Sequence, residues 1–269
     1  MDSMQPYFSG QQLYGDDFDT AGIEAWFRDE EEGYANLGAR DADAYSYGYH
    51  ALNDRHAFRF IRDQRFNALL GFGSAYGDEL RPLVGKVDAV TIVDPSAAFV
   101  RSDVFGTPAT YVKPAADGRL PLADAAFDLA TCFGVLHHIP NVSAVMLELA
   151  RVTEPGGHLL LREPIVSMGD WRQPRRGLTK RERGIPLCLL RSMANASGFE
   201  IVHEAVCMFP LTTRLFRWRK APVYNSALAT LVDHALSSAF AWNVNYHPTT
   251  VLQRLRPTSV FLVLRKKCR

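Results

Sequence analysis

Short apolar runs, separated by turn residues and amphipathic stretches, recur along most of the chain. The runs are too short to form helices of their own, and several are rich in β-branched side chains. We interpret as strands the segments 67–70, 89–93, 109–112, 127–135, 158–161, 199–208 and 259–264. A repeating order of strand, helix and strand is typical of a parallel sheet with helices on both faces. We therefore predict an α/β fold, doubly wound, with a seven-stranded, mostly parallel sheet.

The region before the first strand is predicted to be a helical cap, comprising residues 1–60. Apolar side chains recur at helical spacing from Thr20 to Leu37. The segment 45–56 that follows is dense in Tyr and His, and it either packs on the core as an added helix or forms a lid over a ligand. The residues of interest for the lid are Tyr14, Tyr47 and His50. The main domain would then comprise residues 61–269.

An insertion precedes the last strand and comprises about residues 209–257. Its helix, Ala227 to Phe240, carries pairs of mostly apolar residues every four positions. We expect this stripe to pack on the core, and the alternative is a face between two copies in a homodimer.

A glycine-bearing turn follows the first strand and indicates a ligand site. Gly71, Gly73 and Gly77 allow tight turns and a close approach of the backbone to a ligand. Asp94 ends the second strand 21 residues after Gly73, where a carboxylate can accept both hydroxyls of a ribose. The pattern predicts a nucleoside-containing cofactor at the carboxyl edge of the sheet. A glycine turn followed by an unrelated surface aspartate is the alternative.

Composition narrows the class of protein. The chain has 269 residues, 47% hydrophobic and 22% charged, and a net charge of +1. This balance gives the whole chain no general attraction to nucleic acid or to an acidic membrane. Four cysteines lie far apart without a CxxC pair, so we expect no metal site. With no signal-peptide pattern and no long apolar run, we expect a cytoplasmic protein without a membrane span.

Several polar residues are candidates for chemistry near the strand ends. His137 and His138 follow the fourth strand, and Glu163 ends the fifth; each is a candidate general base. Two adjacent histidines should point in different directions, so at most one faces an acceptor. Asp117 precedes a glycine in the loop before strand four, where it either accepts a hydrogen bond from an adenine amino group or forms a plain Asp-Gly turn.

A basic segment, 167–186, stands out in the near-neutral chain. Arginine binds phosphate and carboxylate groups in a bidentate manner. The segment therefore either binds an anionic group of the substrate or serves solubility and capping. The substrate-binding candidates are Arg172, Arg175 and Arg176, together with Tyr14.

The segments around strands four and five resemble the class I S-adenosylmethionine-dependent methyltransferases, of the type 11 kind. FDLATCFGVLHHIPN is similar to the family's strand-four signature, and ELARVTEPGGHLLLREP to its following helix, turn and strand five. LPLADAAFD and VDPS resemble the loop before strand four and the acidic end of strand two. The resemblance extends from about residue 67 to residue 201, and it implies a Rossmann-like fold.

The resemblance also implies positions for S-adenosylmethionine. The glycine turn would surround the methionine part, Asp94 would bind the ribose, and Asp117 would lie at the adenine amino group. The full set of cofactor-binding candidates is Gly71, Phe72, Gly73, Ala75, Asp94, Pro95, Asp117, Gly118, Phe133 and Gly134. One position departs from the family, because Leu69 stands where an acidic residue usually orients the amino end of the cofactor.

The predicted function is methyl transfer from S-adenosylmethionine to a small-molecule or sugar acceptor, at oxygen. The surroundings of Glu163 and the basic segment resemble methyltransferases of bacterial polysaccharide and lipopolysaccharide gene clusters. Two alternatives stay open. A nicotinamide oxidoreductase would use the same turn, but it would want glycine at Tyr76, and the chain has no Tyr-x-x-x-Lys pair. A catalytically inactive binding or scaffold protein is the other, and Leu69 favours it.

Overall fold

The strands of the protein form one sheet in the computed structural model, which describes residues 4–34 and 47–268. The sheet has eight strands in the order β3-β4-β2-β1-β5-β6-β8-β7. The strands are β1 Phe66–Phe72, β2 Val87–Val93, β3 Asp103–Val104, β4 Thr107–Val112, β5 Phe127–Phe133, β6 Thr153–Pro164, β7 Phe199–Cys207 and β8 Ser259–Lys266.

The sheet is mostly parallel, which confirms the predicted fold class. Five strands run parallel to one another, in the order β4, β2, β1, β5 and β6, whereas β8 pairs antiparallel with both β6 and β7. All seven predicted strands are present. The eighth, β3, is a two-residue edge strand that pairs antiparallel with β4. It was not predicted because Phe105 and Gly106, both at positive φ, form a tight hairpin turn within a short polar stretch.

Helices cover the two faces of the sheet. They are α1 Gln5–Phe8, α2 Thr20–Tyr34, α3 His50–His56, α4 Val142–Val152, α5 Leu187–Ala196, α6 Pro210–Leu215 and α7 Ala227–Ala239. None of the helices in the described ranges is long and apolar enough to cross a membrane.

The connection between β1 and β2 is shorter than in most doubly wound folds. A 3-10 helix, Asp78–Leu83, replaces an α-helix there. Gly77 and Gly85 adopt positive φ on either side of it, and Pro82 lacks a backbone donor, so a longer helix cannot form. The loop after β1 therefore leads directly to the carboxyl edge of the sheet.

Strand β1 lies at the point where the chain order of the parallel strands reverses. Its Gly71 pairs with Ile92 of β2 on one side and with Thr131 of β5 on the other. Ligands of doubly wound folds bind in the crevice outside the carboxyl ends of such strands. The predicted turn and both predicted histidines follow these strands.

Leu69 belongs to the apolar core. Its side chain is fully buried, and it packs in the same cluster as Leu52 of α3, Phe58 and Phe261 of β8. A buried carboxylate here would be costly unless it were paired. The departure at position 69 is therefore coupled to the packing of α3.

Helix α7 does not bury the stripe that its sequence predicts. Leu228 and Leu231 are 62% and 50% exposed, and the buried positions include Asp233 and Ser237. The expectation that the apolar stripe packs on the core is wrong, because a polar contact fixes this helix instead. The Asp233 carboxylate accepts hydrogen bonds from the backbone N–H groups of Met208 and Phe209, at 2.8 Å each.

Candidate active site at the carboxyl edge of the sheet

The turn after β1 is held between β2 and the loop after β5. The Gly73 amide donates to the Val93 carbonyl at 2.8 Å. Gly73 has φ +68°, and a Cβ at this position would lie 2.5 Å from Cγ2 of Val135. Neither the conformation nor the space admits a side chain, so the turn presents bare backbone to the crevice.

The Asp94 carboxylate joins the second strand to this turn. One oxygen accepts from the Ala75 amide at 3.2 Å and the other from the Ser96 amide at 3.0 Å. Burial raises the pKa of Asp94, and the two amide hydrogen bonds oppose that rise. Each carboxylate oxygen can accept a further hydrogen bond. These acceptors fit the paired hydroxyls of a ribose, and Pro95 lies directly beside them.

The loop carrying Asp117 and Gly118 packs on the start of α4. Asn141 donates to the Asp117 carbonyl at 2.6 Å, and a Cβ on Gly118 would lie 2.6 Å from Cγ2 of Val145. The Asp117 carboxylate accepts from the backbone and the side chain of Arg119, which engages both of its oxygens. Its predicted contact with an adenine amino group stays a prediction. The buried Oδ1 atom of Asn141 finds no partner within the described residues.

His137, in the loop after β5, is oriented by Glu163 at the end of β6. One Glu163 oxygen accepts from the amides of Val135 and Leu136, at 2.8 Å each. The other accepts from the His137 amide at 3.3 Å and lies 2.8 Å from its Nδ1 atom. Glu163 is fully buried, and these contacts engage both of its oxygens. The carboxylate therefore fixes the loop and the imidazole together.

The pKa shifts of His137 and Glu163 indicate which of the two groups carries a proton. Burial lowers the pKa of His137, and the neighbouring His138 lowers it further, while Glu163 acts in the opposite direction. Burial alone would raise the pKa of Glu163, but His137 and the backbone N–H groups hold it below its usual value. These directions and the 2.8 Å contact fit a neutral imidazole that donates from Nδ1 to an ionised carboxylate. That tautomer leaves Nε2 as a proton acceptor.

His138 faces the N-terminal region instead. Its Nδ1 atom lies 3.0 Å from an oxygen of Glu30 in α2, and its carbonyl accepts from the indole N–H of Trp26 at 2.8 Å. The other Glu30 oxygen accepts from the Thr179 hydroxyl. The two adjacent histidines therefore contact different carboxylates.

A third carboxylate completes the cluster around these histidines. An oxygen of Glu182 lies 3.6 Å from Nε2 of His137. His137, His138 and Glu182 offer atoms within 4.8 Å of one another, close enough for a metal ion that the sequence did not predict. Cationic side chains already lie beside this cluster. Arg183 donates to the His137 carbonyl, and Arg175 to the Glu182 carbonyl.

Two arginines of the basic segment, Arg175 and Arg183, donate their hydrogen bonds to backbone carbonyls of the protein. Arg183 is fully buried, and its guanidinium donates to five carbonyl groups. These belong to Tyr14, Leu136, His137, Ile139 and Pro140. Arg175 donates to the carbonyls of Met168, Thr179, Lys180 and Glu182. Both guanidinium groups thus shape the loop that supports the histidines.

The other predicted substrate-binding residues lie at the periphery of this loop. Arg172 forms an ion pair with Asp170 at 2.7 Å, and Arg176 is exposed. The Tyr14 ring stacks on Trp171 with a centroid distance of 5.1 Å. Their contact with a substrate stays a prediction.

Residues 47–56 join the carboxyl edge to the insertion. The Tyr47 hydroxyl accepts from the Asn53 amide at 2.8 Å, and burial raises the pKa of Tyr47 to about 12. The His50 amide donates to the side chain of Asn225. The predicted lid is therefore tied to the insertion, and its first residues, 45 and 46, lie outside the described ranges.

Sequence reasoning did not identify Arg162, which is a buried cation at the end of β6. Its guanidinium donates to Asn53 at 2.9 Å and to the Phe133 carbonyl at 3.4 Å, and it lies 4.1 Å from the centre of the Tyr49 ring. A Cβ built on Gly134 would lie 3.6 Å from Nη2 of Arg162 and 3.7 Å from Cε1 of His137. Gly134 thus separates a buried cation from the oriented imidazole.

Glu79 is the second ionisable group that sequence reasoning missed. It is 7% exposed in the 3-10 helix after the glycine turn. Burial raises its pKa to about 7, although the positive charge of Arg162 acts in the opposite direction. For Arg162 the sequence did carry a signal, because an arginine directly after the apolar run LLL of β6 would be buried, and a buried charge needs a partner.

Comparisons with known proteins agree with this geometry. Residues 70–161 match the family described as a methyltransferase domain. The ubiquinone/menaquinone biosynthesis C-methyltransferase UbiE of Rubrivivax gelatinosus is 28% identical over 122 residues, 45% of this chain and 49% of that protein. The ubiquinone biosynthesis O-methyltransferase of Photorhabdus laumondii is 33% identical over 54 residues, 20% of this chain and 22% of that protein. The chain thus spans about half or less of the length of these relatives.

A solved structure shows the same fold. The phosphoethanolamine N-methyltransferase 2 of Haemonchus contortus, in complex with S-adenosyl-L-methionine, superposes with a TM-score of 0.58 and 15% identity. The match covers 96% of this chain and 61% of that one. The matched residues 70–161 contain the glycine turn, Asp94, Asp117 and the His137 loop. The match over residues 70–161, the methyltransferase relatives and the shared fold confirm the predicted resemblance to the class I S-adenosylmethionine-dependent methyltransferases, and they support S-adenosylmethionine as the cofactor.

Proposed function

We propose that this protein transfers the methyl group of S-adenosylmethionine to an oxygen of a small-molecule or sugar acceptor. The observation that carries the proposal is the Glu163–His137 pair after the carboxyl ends of β5 and β6, because its 2.8 Å contact at Nδ1 orients the imidazole and leaves Nε2, 3.6 Å from a Glu182 oxygen, as the candidate proton acceptor. The printed names of the relatives include a C- and an O-methyltransferase, so they do not decide the acceptor atom. An oriented neutral imidazole favours a hydroxyl acceptor, which must lose a proton.

The residues of the turn and of the second strand would hold the cofactor. The backbone at Gly71 to Ala75 would surround its methionine part, and Asp94 would accept hydrogen bonds from the ribose hydroxyls. Phe133 and Gly134 would border its reactive end. When bound, S-adenosylmethionine supplies an electrophilic methyl group on a sulfonium sulfur.

The chain's own residues would align the acceptor and remove its proton. As the acceptor oxygen bonds to the methyl carbon, the carbon–sulfur bond breaks and its electron pair stays on sulfur. Nε2 of His137 takes the acceptor's proton, and Glu163 stabilises the imidazolium that results. Glu163 is then a positioning residue, because its oxygens already accept from three amides and from His137.

The acceptor would bind between His137 and the group formed by Arg162, Tyr47, Tyr49 and Asn53. Arg162 lies across Gly134 from the imidazole, and within residues 4–34 and 47–268 no carboxylate forms an ion pair with its positive charge. An anionic acceptor would therefore be drawn here instead of to Arg172 and Arg176. Residues 1–60 would form the cap of this site and residues 61–269 the catalytic domain.

Isothermal titration calorimetry with the full chain tests this function. We expect heat with S-adenosylmethionine and with its demethylated product, and none with NAD. Heat with NAD alone would favour a nicotinamide oxidoreductase. Cofactor binding without methyl transfer to sugar, lipid or phenolic acceptors would favour a scaffold protein. A cytoplasmic location, a role in polysaccharide biosynthesis and a homodimer stay predictions.

A further inference from the structure

The insertion, residues 209–257, has a charge distribution unlike that of the rest of the chain. It contains six basic residues and one acidic residue, whereas the whole chain has a net charge of +1. The acidic residue, Asp233, is fully buried. The exposed charges of the insertion are thus all positive, and they are Arg214, Arg217, Arg219, Lys220 and Arg254.

The same segment also exposes large apolar side chains. Seven of the twelve exposed large hydrophobic residues in the described ranges belong to it. Trp218 is 75% exposed and Trp242 is 71% exposed. The others are Leu215, Leu228, Leu231, Val251 and Leu252. Single exposed apolar residues are normal on a protein surface, but a concentration of this kind marks an interaction site.

The helix α7 gives part of this surface a regular geometry. Leu228, Leu231 and Ala235 are exposed at helical spacing, on the side opposite to the buried Asp233 and Ser237. Asn243, just after α7, donates to the Leu252 carbonyl at 2.9 Å, which brings Leu252 close to the C-terminal end of the helix. The exposed turn at Leu252 therefore lies next to the end of the helix that carries the outward stripe.

We propose that this surface, the insertion face, binds an anionic lipid bilayer. Aliphatic side chains can enter the boundary between headgroups and acyl chains, and tryptophan prefers the headgroup level. Exposed Arg and Lys side chains are attracted to anionic headgroups. Trp218 shows the combination directly, because it lies between Arg217 and Arg219, and the Arg219 guanidinium lies 5.8 Å from the centre of its ring.

Charge favours a bilayer over a second copy of the chain. In a twofold symmetric dimer the same patch faces itself, which would place the exposed basic side chains of one copy opposite those of the other. Like charges facing each other oppose association. Aliphatic residues such as Leu228 and Val251 also offer nothing to the phosphates of a nucleic acid.

Co-sedimentation of the full chain with vesicles tests the proposal. We expect binding to vesicles that contain phosphatidylglycerol, much weaker binding to pure phosphatidylcholine, and release at high salt. Each basic residue near an anionic surface contributes about fivefold to partitioning, so Arg217→Glu with Arg219→Glu should weaken binding by at least about 25-fold. The matched charge control is Lys113→Glu with Lys267→Glu, which changes the net charge equally at exposed sites outside the insertion.

A second pair of variants tests the apolar part of the surface. Trp218→Ser with Leu228→Ser should weaken binding to anionic vesicles, whereas Leu147→Ser, at a 56% exposed position of α4, should not. Circular dichroism and thermal melting of each variant verify that the fold is intact. Failure of the wild-type chain to bind anionic vesicles would overturn the proposal, as would equal losses in the controls. A dimer that Leu228→Ser dissociates, without vesicle binding, would assign the face to a second copy.

Discussion

Glu163, at the end of β6, is the residue on which the proposed proton transfer at His137 depends. A fully buried carboxylate is costly unless its charge is compensated. Here three backbone N–H groups and the His137 ring provide that compensation. The same contacts decide which nitrogen of His137 carries the proton, so stability and chemistry share one group.

Replacing Glu163 by glutamine should reverse the tautomer of His137. The amide oxygen can still accept from Val135 and Leu136, but the NH₂ group would face Nδ1 and could only donate to it. Nε2 would then carry the proton and could not accept one. We expect methyl transfer to fall by at least about 10²-fold, with little change in S-adenosylmethionine affinity.

Nitrogen-15 NMR of the histidine side chains measures this tautomer without any acceptor. Glu200→Gln, which removes an exposed partner of Arg265, is the matched control. If His137 kept its tautomer in Glu163→Gln while activity was lost, Glu163 would act in some other way.

His56 is a buried residue whose effect on the free energy of unfolding depends on pH. It is fully buried against Phe261, and neither ring nitrogen has a partner in the described part of the chain. Burial lowers its pKa to about 3, and the positive charges of nearby residues act in the same direction. Below pH 6.5 the unfolded chain therefore binds one more proton at this site than the folded chain does.

The stability of the wild-type protein should decrease as the pH falls below about 6.5, and His56 should contribute about 1.4 kcal/mol per pH unit down to its folded pKa. His56→Phe should remove that contribution. Urea unfolding of both proteins at pH 7.5 and pH 5.5 measures it, because the comparison at pH 7.5 isolates the change in packing. Equal losses of stability on acidification would contradict the assignment.

The predictability of these residues depended on where their partners lie in the sequence. Gly73, Asp94 and His137 could be predicted because each belongs to a short local pattern at a strand end. Arg162, Glu79 and Arg183 could not, because burial and contacts with distant segments define them. Arg183 was read as part of a basic surface, yet its donors bind carbonyl groups more than forty positions away in sequence.

At the scale of elements, strands were easier to predict than the connections between them. Most of the strands contain a short apolar run, which predicts a strand from local sequence alone, and β7, FEIVHEAVC, shows a partial alternation. Between α3 and β1 the chain forms only a 3-10 turn, Phe58–Phe60, and the Arg62 carbonyl that follows accepts from Lys86. For α7, the apolar pattern alone did not reveal that a buried aspartate decides which face packs.

Two glycines in the connection between β1 and β2 separate the effect of backbone strain from that of steric clash. Gly73 and Gly85 have φ values of +68° and +74°, but a Cβ on Gly85 would have nothing within 4 Å. Gly85→Ala should therefore cost only the left-handed backbone conformation, about 1–2 kcal/mol. Gly73→Ala should cost more, because its Cβ would displace Val135 and with it the loop that leads to His137.

Calorimetric titration with S-adenosylmethionine separates the effects of these two variants. Gly85→Ala should bind the cofactor with wild-type affinity, while Gly73→Ala should lose at least about tenfold, equivalent to 1.4 kcal/mol. Equal affinities in a folded Gly73→Ala protein would remove the glycine turn from the cofactor site.

At the scale of the whole molecule, the doubly wound, mostly parallel sheet followed from the sequence, but the way that the N-terminal region joins the sheet did not. Two of the contacts at that junction are hydrogen bonds to backbone carbonyls. Trp26 is fully buried and donates to the His138 carbonyl, and Arg183 connects the Tyr14 carbonyl to the loop after β5. The N-terminal region and the loop after β5 thus share Arg183 as a hydrogen-bond donor.

This shared junction predicts that the N-terminal region and the sheet unfold as one unit in the wild-type protein. Far-UV circular dichroism and tryptophan fluorescence should give coincident urea transitions. Arg183→Lys retains the charge but replaces five donors in a rigid fork by three on one flexible ammonium. The carbonyls of Tyr14 and of the loop after β5 then lose partners. The fluorescence transition, to which the buried Trp26 and Trp171 contribute, should shift to lower urea than the circular dichroism transition. Arg191→Lys, at an exposed ion pair with Glu204, is the control that should leave both transitions together. Coincident transitions in Arg183→Lys would show that the cap is held by other contacts.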